Sequence, residues 1–175
     1  MKKSKQISLC GIITALSVAL LFFGTVVWVM AYFMPLITGL LMIILTQNVN
    51  KKSAWTVYVS VSIICLLFMP DKECALTYTF FFGFYPIIKD SIDKIKSKIL
   101  LWLVRLGIFN AGILSSQLIC IYIFGIPFDD FLGKYGIVIL IVLANAVYLI
   151  YEKLIQIVMV IYVKKYKNKV SKFLK

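Results

Sequence analysis

Histidine does not occur in this chain, and aspartate and glutamate together number only seven in 175 residues. The first absence removes the commonest general base and metal ligand at neutral pH. The four cysteines, Cys10, Cys65, Cys74 and Cys120, form no Cys-x-x-Cys pair, so no zinc or haem ligand set is legible. Seven acids and nineteen bases also supply too little polar surface for a water-soluble fold of this size. Neither a Gly-x-x-x-x-Gly-Lys phosphate loop nor a Gly-x-Ser-x-Gly nucleophile motif is present. Between the apolar runs no segment exceeds roughly a dozen residues, which leaves no room for a soluble catalytic domain. The expectation is a chain that is not an enzyme, carries no cofactor, and depends on a partner or an ion gradient for any uphill work.

What the chain does contain is apolar: 62% of its residues are hydrophobic, and the mean hydropathy is +0.99. A spanning helix needs roughly 20 apolar residues. Runs at about 7–24, 27–46, 54–69, 75–88, 99–124 and 135–163 predict an all-α integral membrane protein, a single six-helix membrane domain over 1–175. The lysine-flanked first run resembles a signal peptide, but its length and the lack of a small-residue cleavage site predict a retained helix. Thr25, Trp28, Tyr32 and Pro35 mark the first connection. Pro70 ends the third run, because proline disfavours helix at the residue before it. The fourth run is short, and Gly83 and Pro86 predict a kink near its end.

Orientation follows from the lysines. With the N-terminus inside, the inner segments hold Lys2, Lys3, Lys5, Lys51, Lys52, Lys89, Lys94, Lys96, Lys98 and the tail lysines. The outer segments hold only Lys72 and Lys134, together with the acids Asp71, Glu73, Asp129 and Asp130. This asymmetry places both termini in the cytoplasm of a multi-pass cell-membrane protein. The net charge of +12 then reads as membrane-flanking anchors that attract anionic lipid, not as a nucleic-acid surface.

Polar groups inside hydrocarbon are costly, so each raises a functional question. Arg105 and Glu152 fall at similar depth in spans five and six and predict a structural ion pair fixing helix register, the alternatives being a snorkelling arginine or a proton relay. Tyr78, Asn110, Gln117, Asn145 and Tyr148 lie where spans four, five and six could line an outward-opening pocket. Their alternative is interhelical hydrogen bonding, worth about 0.5–2 kcal/mol each. Asp71 is placed to cap span four, with Glu73 in its first turn. Lys72 beside that helix N-terminus could take a ligand carboxylate or phosphate. Lys72 and the five pocket residues form the expected substrate-binding set. Gly11, Ala15 and Ala19, four residues apart, make a small-residue stripe on span one that lets another helix approach closely.

Six spans with cytoplasmic termini and Ala15-x-x-x-Ala19 on the first helix resemble the substrate-binding S components of energy-coupling factor (ECF) transporters. The segments Ile7-Ser8-Leu9-Cys10-Gly11-Ile12-Ile13-Thr14-Ala15-Leu16, Pro70-Asp71-Lys72-Glu73-Cys74-Ala75 and Phe81-Phe82-Gly83-Phe84-Tyr85-Pro86 carry the rest of the likeness. The resemblance implies capture of a vitamin or related micronutrient at the outer face. It implies docking through Gly11, Ala15 and Ala19 onto a membrane coupling subunit that works with two cytoplasmic ATPases. None of the signatures for riboflavin, thiamine, biotin or folate is present. A different reading is a membrane accessory or immunity protein that uses the same stripe and has no small-molecule pocket.

Overall fold

The computed structural model describes residues 3–26, 30–125 and 136–166. Lys2, Trp28, Asp129, Asp130, Lys134 and the tail lysines beyond 166 lie outside the described residues. Regular structure among the described residues is entirely helical. The long helices are α1 (Lys3–Val26), α3 (Lys51–Phe68), α6 (Lys98–Tyr122) and α7 (Gly136–Ile161). Among the described residues four stretches, Lys3–Val26, Lys51–Phe68, Lys98–Tyr122 and Ile141–Lys165, are long and apolar enough to cross a membrane. Helix α2 (Phe33–Asn48) is apolar but shorter.

The expected fourth span is broken. Helix α4 (Lys72–Thr77) runs into a π-helical segment, Tyr78–Phe82, then a turn at Gly83 and Phe84, then α5 (Tyr85–Ile92). Wide π-turns arise singly inside helices and often accompany functional sites. Pro86 lies in the first turn of α5, where a missing N–H leaves no helical bond unmade. Gly83 and Phe84 keep right-handed helical dihedrals, so the irregularity at the expected kink lies in the hydrogen-bond pattern, from π-turns to the fresh start of α5.

Two glycines explain how this irregular segment packs. A Cβ on Gly39 of α2 would stand 2.4 Å from the Phe82 carbonyl oxygen. A Cβ on Gly112 of α6 would stand 2.5 Å from that of Phe80. Only glycine lets both helices press directly on the π-helical backbone. Around the contact lies an aromatic core. Phe81 meets Tyr85 at 4.7 Å and Phe109 at 4.8 Å between ring centroids, and Phe109 stacks on Tyr148 at 4.9 Å.

Helix ends obey local rules. Asn50 caps α3, its side chain accepting from the Ser53 N–H at 2.7 Å. Asp71 caps α4, accepting from the Glu73 and Cys74 N–H groups at 3.0 and 3.2 Å. Contacts between Asn48 and Tyr162, and between Lys51 and Ser91, bring one set of helix ends together. That end carries nearly all described lysines; at the opposite end Lys72 is the described lysine.

Candidate functional site

The opposite end holds a cleft of about 320 Å³. Residues four apart on a helix share a face. So Glu73 and Thr77 of α4, and Phe109, Ile113 and Gln117 of α6, point to one space. Leu143, Ala144 and Val147 of α7 form the third wall, with Tyr32 and Phe82 at the edges. The lining is mostly apolar, and its polar groups converge. Gln117 Nε2 donates to Glu73 Oε1 at 2.9 Å, and the Tyr32 hydroxyl donates to the same oxygen at 3.3 Å. A second, smaller cavity of about 230 Å³ shares Tyr32 and Glu73 and includes Asp71.

Of the six residues expected to bind substrate, Gln117 lines this cleft. Asn110 and Asn145 instead exchange reciprocal amide hydrogen bonds at 3.1 and 3.0 Å, and each also donates to a carbonyl four residues back on its own helix. Tyr148 stacks on Phe109 and places its hydroxyl 3.1 Å from that of Tyr85. Tyr78 is fully buried among the π-segment neighbours, 6.3 Å from Tyr58 between centroids, with no hydrogen bond to its hydroxyl among the described residues. Lys72 turns its amino group to the Leu66 carbonyl at 2.9 Å and over the Phe124 ring, not into the cleft. The N-terminus of α4 is already occupied by Asp71 as cap and Glu73 in the first turn, so the site for an anion read there is filled by the protein's own carboxylates.

At the basic end, Arg105 and Glu152 do meet, Nη1 to Oε1 at 3.0 Å. They belong to a larger cluster. Lys89, 2% exposed, contacts the same Glu152 oxygen, and Tyr85 donates to the other at 2.7 Å. Because Tyr85 gives its proton to the carboxylate, Tyr148 is the donor between the two phenols. Arg105 also pairs with Asp93 at 2.6 Å, with Lys89 3.7 Å from the same carboxylate. Two cations and two anions thus neutralise one another across α5, α6 and α7. An unpaired charge at such burial would be severely destabilising.

Sequence reasoning treated Lys89 as a membrane-flanking anchor and did not single out Asp93 or Tyr85. Their signal was the Lys89–Asp93 spacing of four, which pairs charges along one helix. Glu73 was read as a dipole partner only, and its place in the cleft depends on Gln117 arriving from a helix forty-four residues away in sequence.

The small-residue stripe is on the surface. Gly11, Ala15 and Ala19 are exposed, and a Cβ on Gly11 would meet nothing within 4 Å. They line a shallow apolar concavity with Val18, Phe22 and Ile64, bounded by α1 and α3. Among the described residues, intramolecular packing leaves Gly11, Ala15 and Ala19 uncovered.

No metal-binding group of three His, Cys, Asp or Glu side chains forms among the described residues. No known protein family, curated protein or solved structure matches the chain.

Proposed function

We propose that this protein is the substrate-capturing membrane subunit of an ATP-driven micronutrient importer, an S component in the manner of ECF transporters. The observation that carries the reading is a cleft with converging polar groups at one end of the molecule, combined with an unpacked small-residue face on α1. A capture subunit needs both: a pocket for a solute and a surface for the machine that drives release. In this reading the chain crosses six times, with α2 and the broken α4–α5 unit completing the four long helices. Both termini lie in the cytoplasm, and the cleft opens outward. The basic end meets anionic lipid. Coupling subunit and paired ATPases supply the energy, since the sequence carries no phosphate loop.

The test is a mild-detergent pull-down of tagged protein from native membranes, with a matched Ala19→Trp variant. The expected outcome is recovery of a coupling subunit and two ATPases with the native chain and their loss with the variant. Recovery of the folded chain alone, from cells expressing such a module, would overturn the reading.

A second reading is a membrane accessory or immunity protein acting through helix contacts. The reciprocal Asn110–Asn145 lock favours it, because these amides serve the bundle and not a solute. Retention of a different membrane protein through α1, with no module, would support it.

A further inference from the structure

We infer that the cleft selects an organic cation: a solute with an apolar or aromatic body and a positively charged amine or quaternary ammonium group. The inference rests on the cleft being the capture site of the uptake reading, and it names the substrate class.

Three observations lead there. First, among the described lining residues Glu73 is the acid or base charged at neutral pH; the lysine expected to serve the site points away. Second, the carboxylate is positioned but meets no cation among the described residues. Both of its side-chain hydrogen bonds, from Gln117 and Tyr32, converge on Oε1, and neither donor is charged. Among the described residues no lysine or arginine forms an ion pair with Glu73, and Oε2 accepts no hydrogen bond. The contrast with Glu152 at the basic end is direct, because two cations face that carboxylate. Third, the remaining wall suits an apolar body. Phe82, Phe109, Ile113 and Val147 give it apolar surface. An anionic ligand would face repulsion from Glu73 and from Asp71 in the adjoining cavity, with no described base to offset it.

The volume agrees with a small molecule. About 320 Å³ lies at the lower end of the range typical of ligand pockets, roughly 300–1,000 Å³.

The experiment is equilibrium binding of radiolabelled benzyltrimethylammonium to the full chain in phosphatidylglycerol nanodiscs, which contain no cationic headgroup. Phenylacetate serves as the anionic competitor of similar size. Saturable binding that phenylacetate does not displace is expected. Glu73→Gln should weaken it by about tenfold or more, the loss expected for one charge-assisted contact. Ala144→Phe, which fills the cleft without touching the charge, should also abolish it, so the test survives if one variant fails to fold. Equal affinity in folded Glu73→Gln, displacement by phenylacetate, or no binding of the cation at millimolar concentration would each overturn the cation assignment. Displacement of the probe by added phosphatidylcholine would assign the site to a lipid headgroup and remove it from uptake. Module pull-down is read separately. An intact module with no cation binding leaves the importer standing with another cargo; cation binding without a module leaves the site standing and sinks the importer.

Discussion

Glu152 shows what a single buried side chain must satisfy inside a bundle. Its two oxygens receive Tyr85, Lys89, Arg105 and, at 3.4 Å, Gln156. Replacing it with Gln keeps much of the shape and removes the charge, which leaves Lys89 and Arg105 to share Asp93. Breaking a buried pair in this way costs about 3–5 kcal/mol. Glu152→Gln should therefore unfold at markedly lower temperature or denaturant concentration, read by thermal unfolding in detergent. Replacing both Lys89 and Glu152 with Met should recover most of the loss, since the Arg105–Asp93 pair stays intact at 2.6 Å. Equal damage from the single and double variants would show that the cluster is not held by this pair. Tyr85→Phe removes one neutral-to-charged hydrogen bond and should cost less, about 1.5–3 kcal/mol. At this scale the Arg105–Glu152 contact was legible, because two charges at similar depth in adjacent apolar runs have few other partners. Lys89 was hidden among lysines whose position beside an apolar run looks the same whether they face water or fold inward.

Among the elements, the irregular unit from Lys72 to Ile92 governs the packing. The interruption was partly legible: Pro70 stops α3, and Gly83 and Pro86 announce a break. The π-helical turns were not, because no residue type specifies them; they are set by where α2 and α6 press on the backbone. Boundaries elsewhere shifted for similar local reasons. Helix α1 continues to Val26, and α2 begins at Phe33, with Pro35 in its first turn, not at residue 27. Gly112→Ala should displace the Phe80 carbonyl and destabilise by about 1–3 kcal/mol, the usual cost of overpacking. Gly39→Ala should behave alike against Phe82. Gly11→Ala is the control. Its Cβ enters open space, and alanine favours helix over glycine, so stability should hold or rise by up to about 1 kcal/mol. A Gly11→Ala loss as large as that of Gly112→Ala would mean that α1 packs through its stripe after all. Polar residues on the long helices were readable as a class, but not by destination. Asn110 and Gln117 lie seven apart on α6, yet one locks two helices and the other faces the cleft. The difference depends on which partner helix each meets.

For the molecule as a whole, the two ends differ in charge, and that difference carries the proposed orientation. Helices α2, α5 and α7 finish, and α1, α3 and α6 begin, at the end that gathers Lys51, Lys52, Lys89 and Lys98. In the proposed orientation that end lies in the cytoplasm, where lysine is retained and anionic lipid is plentiful. The consequence is measurable on intact cells with the four native cysteines replaced by alanine. A cysteine at Tyr122, which is 81% exposed, should react with a membrane-impermeant maleimide added outside. A cysteine at Lys52 or Lys98 should react only after the membrane is opened. Labelling of Lys52→Cys from outside, with Tyr122→Cys protected, would invert the molecule, turn the cleft to the cytoplasm and make capture from the medium impossible. Labelling of Lys52→Cys and Tyr122→Cys both from outside would mean that an even number of crossings separates them, which would remove the six-crossing arrangement and leave the four long helices to be reconnected. With the expected pattern, the neutral four-charge cluster lies below the aromatic core and the cleft above it. In the proposed importer a solute leaving the cleft inward would have to displace Phe81, Phe109 and Tyr148 before it reached the Lys89–Glu152 contact, so release would require the α5–α6–α7 unit to open rather than the cleft simply to empty.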